Sequence, residues 1–263
     1  MWDAGIEAPP KLQRSNGGYE LTLAARAGRT HAARLYATDP CRVLFPTFDP
    51  GEPTTAVLLT TSGGLAGGDR IEGRIAAQSG ARATITTQAA EKIYRSLAPD
   101  TEIDVSLSAD AGATLAWLPQ ETILFDGARL RRTLTIRAHG EARLAAAEIL
   151  VFGRIARGER FNHGLLFDRW RIWRDHTLAW ADALRLENDI PGVLAHPAGF
   201  AGATAYGTRI YVGPDAAERT HDGATLIGSV LLSRFLGDAG SVRHDIAASC
   251  IKLGVRVPQL WYS

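Results

Sequence analysis

TEIDVSLSADAGATLAWLPQ, residues 101–120, holds the pattern that decides the fold. Ile103, Val105 and Leu107 alternate with polar residues, as on a half-buried strand; Gly112 then marks a tight turn, and a second strand begins with small residues. RIEGRIAAQSGARATITTQ (70–88) and RTLTIRAHGEARLAAAEIL (132–150) repeat the design with turns at Gly80 and Gly140. The three glycines lie 32 and 28 residues apart, within the ~20–50 residue period of stacked repeats. An antiparallel sandwich also recurs with turn signals and is the plainer alternative. The repeat predicts a mainly β fold of stacked, coil-like sheets with one C-terminal helix and few other helical residues, and the length allows one large domain, 1–263, or two smaller units.

Between these windows, WLPQETILFDGARLRR (117–132) sets Ile123, Leu124 and Phe125 between Glu121 and Asp126, and Gly127 turns the chain into Arg129, Arg131 and Arg132. An unpaired carboxylate in apolar surroundings costs several kcal/mol or more, so both acids call for a guanidinium or a cation. Further on, AAEILVFGRIARG (146–158) places Glu148 on the strand face of Ala146, Leu150 and Phe152, pointing to the core. An ion pair with Arg154 or with an arginine at 129–132 is the simpler reading, ahead of a metal role.

SGGLAGGD (62–69) suggests a phosphate cradle at first, but Asp69 and Arg70 stand where a P-loop needs Lys and Ser/Thr, and a strand follows where a helix is required. Gly63, Gly64, Gly67 and Gly68 therefore read as structural turns, like Gly127. In TTQAAEKIYRS (86–96), Ala89, Glu91, Ile93 and Arg95 share one strand face. Lys92 and Arg95 either meet a partner's acids or solvate a surface.

Elsewhere, 19–36 reads as a strand pair bent at Gly28, 39–53 as a proline-rich connector and 56–61 as a buried strand. FNHGLLFDRWRIWRDHTLAWADALRLE (161–187) reads as two strands joined near Asp175 and His176, with Trp170, Ile172 and Arg174 on one face. Strands are expected at 208–212 and 225–236, and a helix over 241–253 with Ser241 as N-cap and Gly254 as its stop. Leu260, Trp261 and Tyr262 make an apolar ending that packs on this chain or on a partner.

Composition narrows function mainly by exclusion. A net charge of +1 with 22 % charged residues leaves no electrostatic footprint for nucleic acid or an anionic membrane. Apolar runs fall well short of the ~20 residues of a membrane helix. MWDAGIEAPP lacks the basic start and apolar core of a secretory signal. Cys41 and Cys250 form no C-x-x-C pattern. These features predict a cytoplasmic protein. The seven histidines fall in no metal-binding spacing, and no G-x-S-x-G elbow occurs, which points away from an enzyme.

In TSGGLAGGDRI, TTQAAEKIYRS, LPQETILFDGARLRR, EILVFGRIARGE and DRWRIWRD the chain resembles the UreD (UreH) family of urease accessory proteins, the blocks running in the family's order from about 55 to 180. It departs from the family pattern at His176, in a short 214–223 segment and at Gln259-Leu260-Trp261. The resemblance implies a non-enzymatic chaperone with no tightly bound cofactor. Its partners would be a UreF-like accessory protein, a UreG-like GTPase and apo-urease, with nickel in transit. On that view Glu121, Asp126, Glu148 and Asp69 line a nickel route, and Lys92, Arg95, Leu260, Trp261 and Tyr262 are partner contacts. The alternatives are a carbohydrate-active enzyme on a stacked-β scaffold and a nickel-storage protein.

Overall fold

A computed structural model describes residues 14–46, 52–97 and 99–262. The N-terminal decapeptide and part of the proline-rich connector lie outside them. The chain passes through β1 (Asn16–Arg26), β2 (Arg29–Thr38), β3 (Cys41–Leu44), β4 (Thr54–Thr60), β5 (Arg70–Ala77), β6 (Arg82–Thr87), β7 (Glu91–Ile93), β8 (Thr101–Ala109), β9 (Thr114–Trp117) and β10 (Thr122–Leu124). It continues through β11 (Arg129–Ala138), β12 (Arg143–Phe152), β13 (Leu165–Arg174), β14 (Thr177–Glu187), α1 (Ile190–Ala195), β15 (Ala205–Val212), β16 (Thr225–Ile227), β17 (Val230–Gly237) and α2 (Ala239–Lys252).

Two sheets result. The first has the order β14-β13-β11-β8-β5-β1-β2, and the second β16-β17-β15-β12-β9-β6-β4-β3, with β10 beside β12 and β7 beside β10. The glycine-turn windows are not hairpins. In each, the strand before the turn joins the first sheet and the strand after it joins the second, so β5, β8 and β11 stack in parallel over β6, β9 and β12. The corners repeat too: the N–H groups of Ala81, Ala113 and Ala142 donate to the carbonyls of Gln78, Asp110 and His139 at 2.9–3.0 Å. Thr114 N–H then donates to Ala81 O and Arg143 N–H to Ala113 O, which ties each corner to the next. This is the coil-like stack that the glycine spacing predicts.

The second sheet is covered on both faces, and β12 shows it. Leu144, Ala146, Leu150 and Phe152 belong to the core between the sheets, whereas Ala147, Ile149 and Val151 pack with Val242, Ile246 and Cys250 of α2. A strand buried on both sides reads as a continuous apolar run, and Glu148, by parity, faces the inter-sheet core.

Two local expectations need correction, and one short element falls within the few other helical residues expected. The N-cap of α2 is Asp238, not Ser241: its carboxylate accepts the Ser241 N–H at 3.0 Å, and the helix begins at Ala239. The acid two residues before the glycine lay outside the apolar period on which the start was placed. The strand expected over 225–236 is a hairpin, β16 and β17, because Gly228 (φ +58°) turns the chain between them. A second short helix, α1, is capped by Asp189, whose carboxylate accepts the Gly192 N–H, and carries Pro191 in its first turn; the glycine-rich composition that follows had hidden it. Segment 214–223 is non-helical, in keeping with its shortness.

Candidate functional site

The interior holds a three-residue ionic cluster built from both sheets. Arg132 (β11) and Asp168 (β13) are register partners in the first sheet. The odd positions of β11 face outward, while Leu130, Leu134 and Ile136 face the core with Arg132. Arg132 Nε donates to Asp168 Oδ1 at 2.8 Å and Nη2 to Asp168 Oδ2 at 3.0 Å, a bidentate pair. Nη1 donates to Thr122 Oγ1 at 3.1 Å. From the second sheet, Glu148 brings Oε2 to 2.9 Å from Arg132 Nη2 and accepts the Trp117 indole N–H on Oε1 at 3.0 Å. Nη2 stands between both carboxylates: it donates to Asp168, and Glu148 Oε2 meets it as an ion pair outside hydrogen-bond geometry. All three ionic residues are only 5 % exposed.

Two carboxylates share one guanidinium, so Glu148 bears the imbalance. Burial first, then Asp168, push its carboxyl above the ordinary range, with Arg132 and the Trp117 N–H acting in opposition. Burial weakens the hold of Arg132 on its proton, but Asp168 and Glu148 more than reverse this and keep it charged.

Beside the cluster lies a cavity of about 180 Å³. Its lining includes exposed Gly63, Gln88, Ala89 and Lys92 and, further in, Tyr19, Cys41, Glu91, Trp117, Arg132 and Glu148. The cavity therefore joins the surface to the inter-sheet core. Four of its groups, Tyr19, Cys41, Glu91 and Glu148, are pushed towards their protonated forms. Burial, then nearby Glu91, raises the Cys41 thiol to about 11. Desolvation raises Glu91 against the hydrogen bond from Thr60, and it raises the Tyr19 phenol with help from Cys41, Glu148 and Glu91. A cation arriving here would meet oxygen and sulfur donors that must release protons to bind it. Among the described residues, no three His, Cys, Asp or Glu side chains are arranged to hold a metal ion.

The family model for the UreD urease accessory protein matches residues 15–261. The chain belongs to the UreD family. It is 41 % identical to the urease accessory protein UreD of Rhodopseudomonas palustris (strain BisB18) over 99 % of both chains. It is 45 % identical to UreD of Magnetococcus marinus over 78 % of this chain and 71 % of the relative. Against urease accessory protein UreD 3 of a Bradyrhizobium species (strain BTAi1) the identity is 40 % over 95 % of each chain.

Within this UreD chain the four carboxylates singled out in the sequence have separate surroundings. Glu148 lines the cavity, and its partner is Arg132; Arg154 instead pairs with Glu159 and stacks on Phe125. Glu121, with a side chain 13 % exposed, accepts from Arg243 of α2 at 2.5 Å. Asp126 accepts the backbone N–H groups of Asn162 and His163, both at 2.9 Å; these outweigh its burial and hold it below the ordinary carboxylate range. Asp69, buried, accepts the N–H groups of Ser15 and Ala66 at 2.7 Å.

Of the five glycines read as turns, Gly63, Gly64, Gly68 and Gly127 have positive φ. Gly64 (φ +149°) leaves no room for a Cβ, which would stand 2.8 Å from Lys92 O, and Gly127 (φ +80°) carries the aliphatic part of Arg95. Gly67 packs on Ser96. Lys92, Arg95 and Tyr262 are exposed, Leu260 is half-buried, and Trp261 is buried with its indole N–H on Leu118 O at 2.9 Å. Sequence reasoning missed Asp168, Glu91, Cys41 and Tyr19 as parts of the site. For the first two a signal existed: Asp168 shares the parity of Trp170 and Ile172, and Glu91 that of Ile93. No helix among the described residues is long and apolar enough to cross a membrane.

Proposed function

We propose that this chain is a urease maturation chaperone. It is a non-enzymatic scaffold that, with a UreF-like accessory protein and a UreG-like GTPase, docks on apo-urease in the cytoplasm and supports GTP-dependent nickel delivery to the urease active site. GTP hydrolysis belongs to the partner. The observation that carries this reading is the UreD family match over 15–261, joined by near-full-length identity to relatives named urease accessory proteins.

The cavity supports a part in handling the metal. Glu148 Oε2, ion-paired with Arg132 but accepting no hydrogen bond, stands at the inner end, and Glu91 stands along the way. Spaced donors without a closed His or Cys set bind a divalent ion weakly and let it leave, which suits cargo and not a resident cofactor. In this proposal Glu148 is the central carboxylate of the route; Glu121, Asp126 and Asp69 are the further candidates, each now with a structural partner that must be weighed against that role.

Deleting the gene in a urease-positive host tests the function. The expected result is urease protein at normal abundance with little nickel and little activity, both restored by the gene in trans. Normal activation in the deletion strain would overturn the proposal.

A further inference from the structure

Strand register makes the outward face of the first sheet unevenly charged. Arg169 and Arg171 (β13) stand beside Thr133 and Thr135 (β11), Arg137 stands beside Trp173, and Phe167 lies between Arg131 and Arg185. The guanidinium carbons of Arg131, Arg169 and Arg185 sit 5.8, 5.1 and 5.9 Å from the Phe167 ring centre, so one aromatic ring gathers three cations. At the margins each arginine has an acid beside it: Arg131 shares Asp100 with Arg129, and Arg185 pairs with Glu187.

In the middle this is not so. Arg169 donates to the Thr133 hydroxyl at 2.9 Å, and its buried Nε has no partner. Arg137 reaches the Ser106 hydroxyl, at 3.4 Å, and makes no ion pair among the described residues. Arg171 is exposed and makes no ion pair among the described residues. The other half of the same face, on β2, β1, β5 and β8, has acids against its arginines: Glu20, Glu72, Glu102 and Asp104 pair with Arg34, Arg70 and Arg74. The helices pack elsewhere, α2 on the second sheet and α1 at the β14 edge. Arg137, Arg169 and Arg171 thus form a cluster of cations on this face with no ion pair and no helix over it among the described residues.

We propose that this patch docks an acidic segment of a partner protein. Its carboxylates pair with Arg137, Arg169 and Arg171, and an apolar side chain rests on Phe167 and Trp173. Arginine forks match carboxylates in pairs. The flanking Asp100 and Glu187 repel a continuous polyanion, which favours discrete carboxylates over a nucleic-acid backbone. This surface stands apart from the maturation reading and is tested on the isolated full chain.

The probe is a fluorescein-labelled peptide of glutamates interspersed with leucine, followed by anisotropy. The double variant Arg137→Gln/Arg171→Gln alters two exposed side chains, and its fold is checked by thermal melting. It should weaken binding about tenfold, and added salt should weaken the native chain's binding. Arg70→Gln/Arg74→Gln removes the same charge from the acid-paired half and should leave affinity within about twofold. Failure of the native chain to bind the peptide, equal losses in both double variants, or no loss in the first would overturn the proposal. An oligonucleotide of equal charge binding as tightly as the peptide would transfer the surface to nucleic acid and overturn it as well.

Discussion

Arg132 lies 2.9 Å from Glu148 across the space between the two sheets, while the bidentate edge of the same guanidinium holds Asp168. The cluster thus binds one sheet to the other through a single cation. Replacing Arg132 with Met strands two buried carboxylates and should cost about 3–5 kcal/mol. The Glu148 carboxyl, already raised, rises further without the cation, so the variant's stability falls as pH rises through it. Urea unfolding at mildly acidic and mildly alkaline pH measures both effects. A loss under about 1 kcal/mol, the scale of an exposed pair, would mean that the cluster is not structural.

Glu91 predicts a pH dependence of its own. Its carboxyl is raised above 4.5 by desolvation, so its contribution to stability is complete below that value and is lost as pH climbs through the folded value. Glu91→Gln keeps an acceptor for the Thr60 hydroxyl, which donates to Glu91 at 3.1 Å. The variant should melt with the native chain near pH 4.5 and above it at alkaline pH. Parallel melting curves at both pH values would contradict the desolvation reading.

Glu148→Gln keeps an acceptor for the Trp117 indole and leaves Arg132 paired with Asp168. If Glu148 passes nickel, urease matured with this variant should carry several-fold less metal while the accessory complex still assembles. Glu121→Ala removes the tie to Arg243, and a double-mutant cycle should show a coupling of about 1 kcal/mol. Low nickel with Glu121→Ala at unchanged thermal stability would extend the route to that residue; full nickel with Glu148→Gln would remove Glu148 from it.

Asp215 gives the opposite pH slope. Burial pushes its carboxyl up, but the Tyr211 hydroxyl at 2.6 Å, Arg219 at 2.8 Å and Arg143 at 3.2 Å prevail and hold it well below 3.8. Its stabilisation is present above that value and is lost as pH falls through the folded one. Asp215→Asn should cost about 1.5–3 kcal/mol at neutral pH, with the gap to the native chain closing under acid. A gap of constant size from neutrality to pH 3.8 and below would show that these donors do not set the acid response.

Trp261, 3 % exposed, closes the chain against β9 and the turn that follows. Trp261→Ala should cost about 3–5 kcal/mol, read by chemical denaturation. Tyr262→Ala, at an exposed position, should stay within about 0.5 kcal/mol and tests partner contact by complex assembly instead.

The coil was legible because its corners need glycine at fixed intervals, and the interior position of Glu148 followed from strand parity. The choice among Arg129, Arg131 and Arg132 was equally open to parity: in RLRRTLTI only Arg132 keeps step with Leu130, Leu134 and Ile136. Which residues meet across the two sheets was not legible. Tyr19, Cys41 and Glu91 come from separate strands at the start of the stack, and their meeting depends on how the sheets close, which no local pattern records. The backbone partners of Asp126 and Asp69 were hidden for a related reason: a carboxylate capping backbone N–H groups in a glycine-rich loop has the same neighbours in sequence as one awaiting a cation.

Because consecutive coils lie in parallel register, about 30 residues of chain convert into one interstrand step of about 4.8 Å. Trp117 and Glu148, 31 positions apart, are hydrogen-bonded neighbours for that reason. Gain or loss of a whole coil would slide everything downstream by one step without turning any side chain over, whereas a single added residue inside a strand would turn the following ones inside out. Length changes that such a scaffold survives should therefore come in whole-coil quanta or fall in its loops.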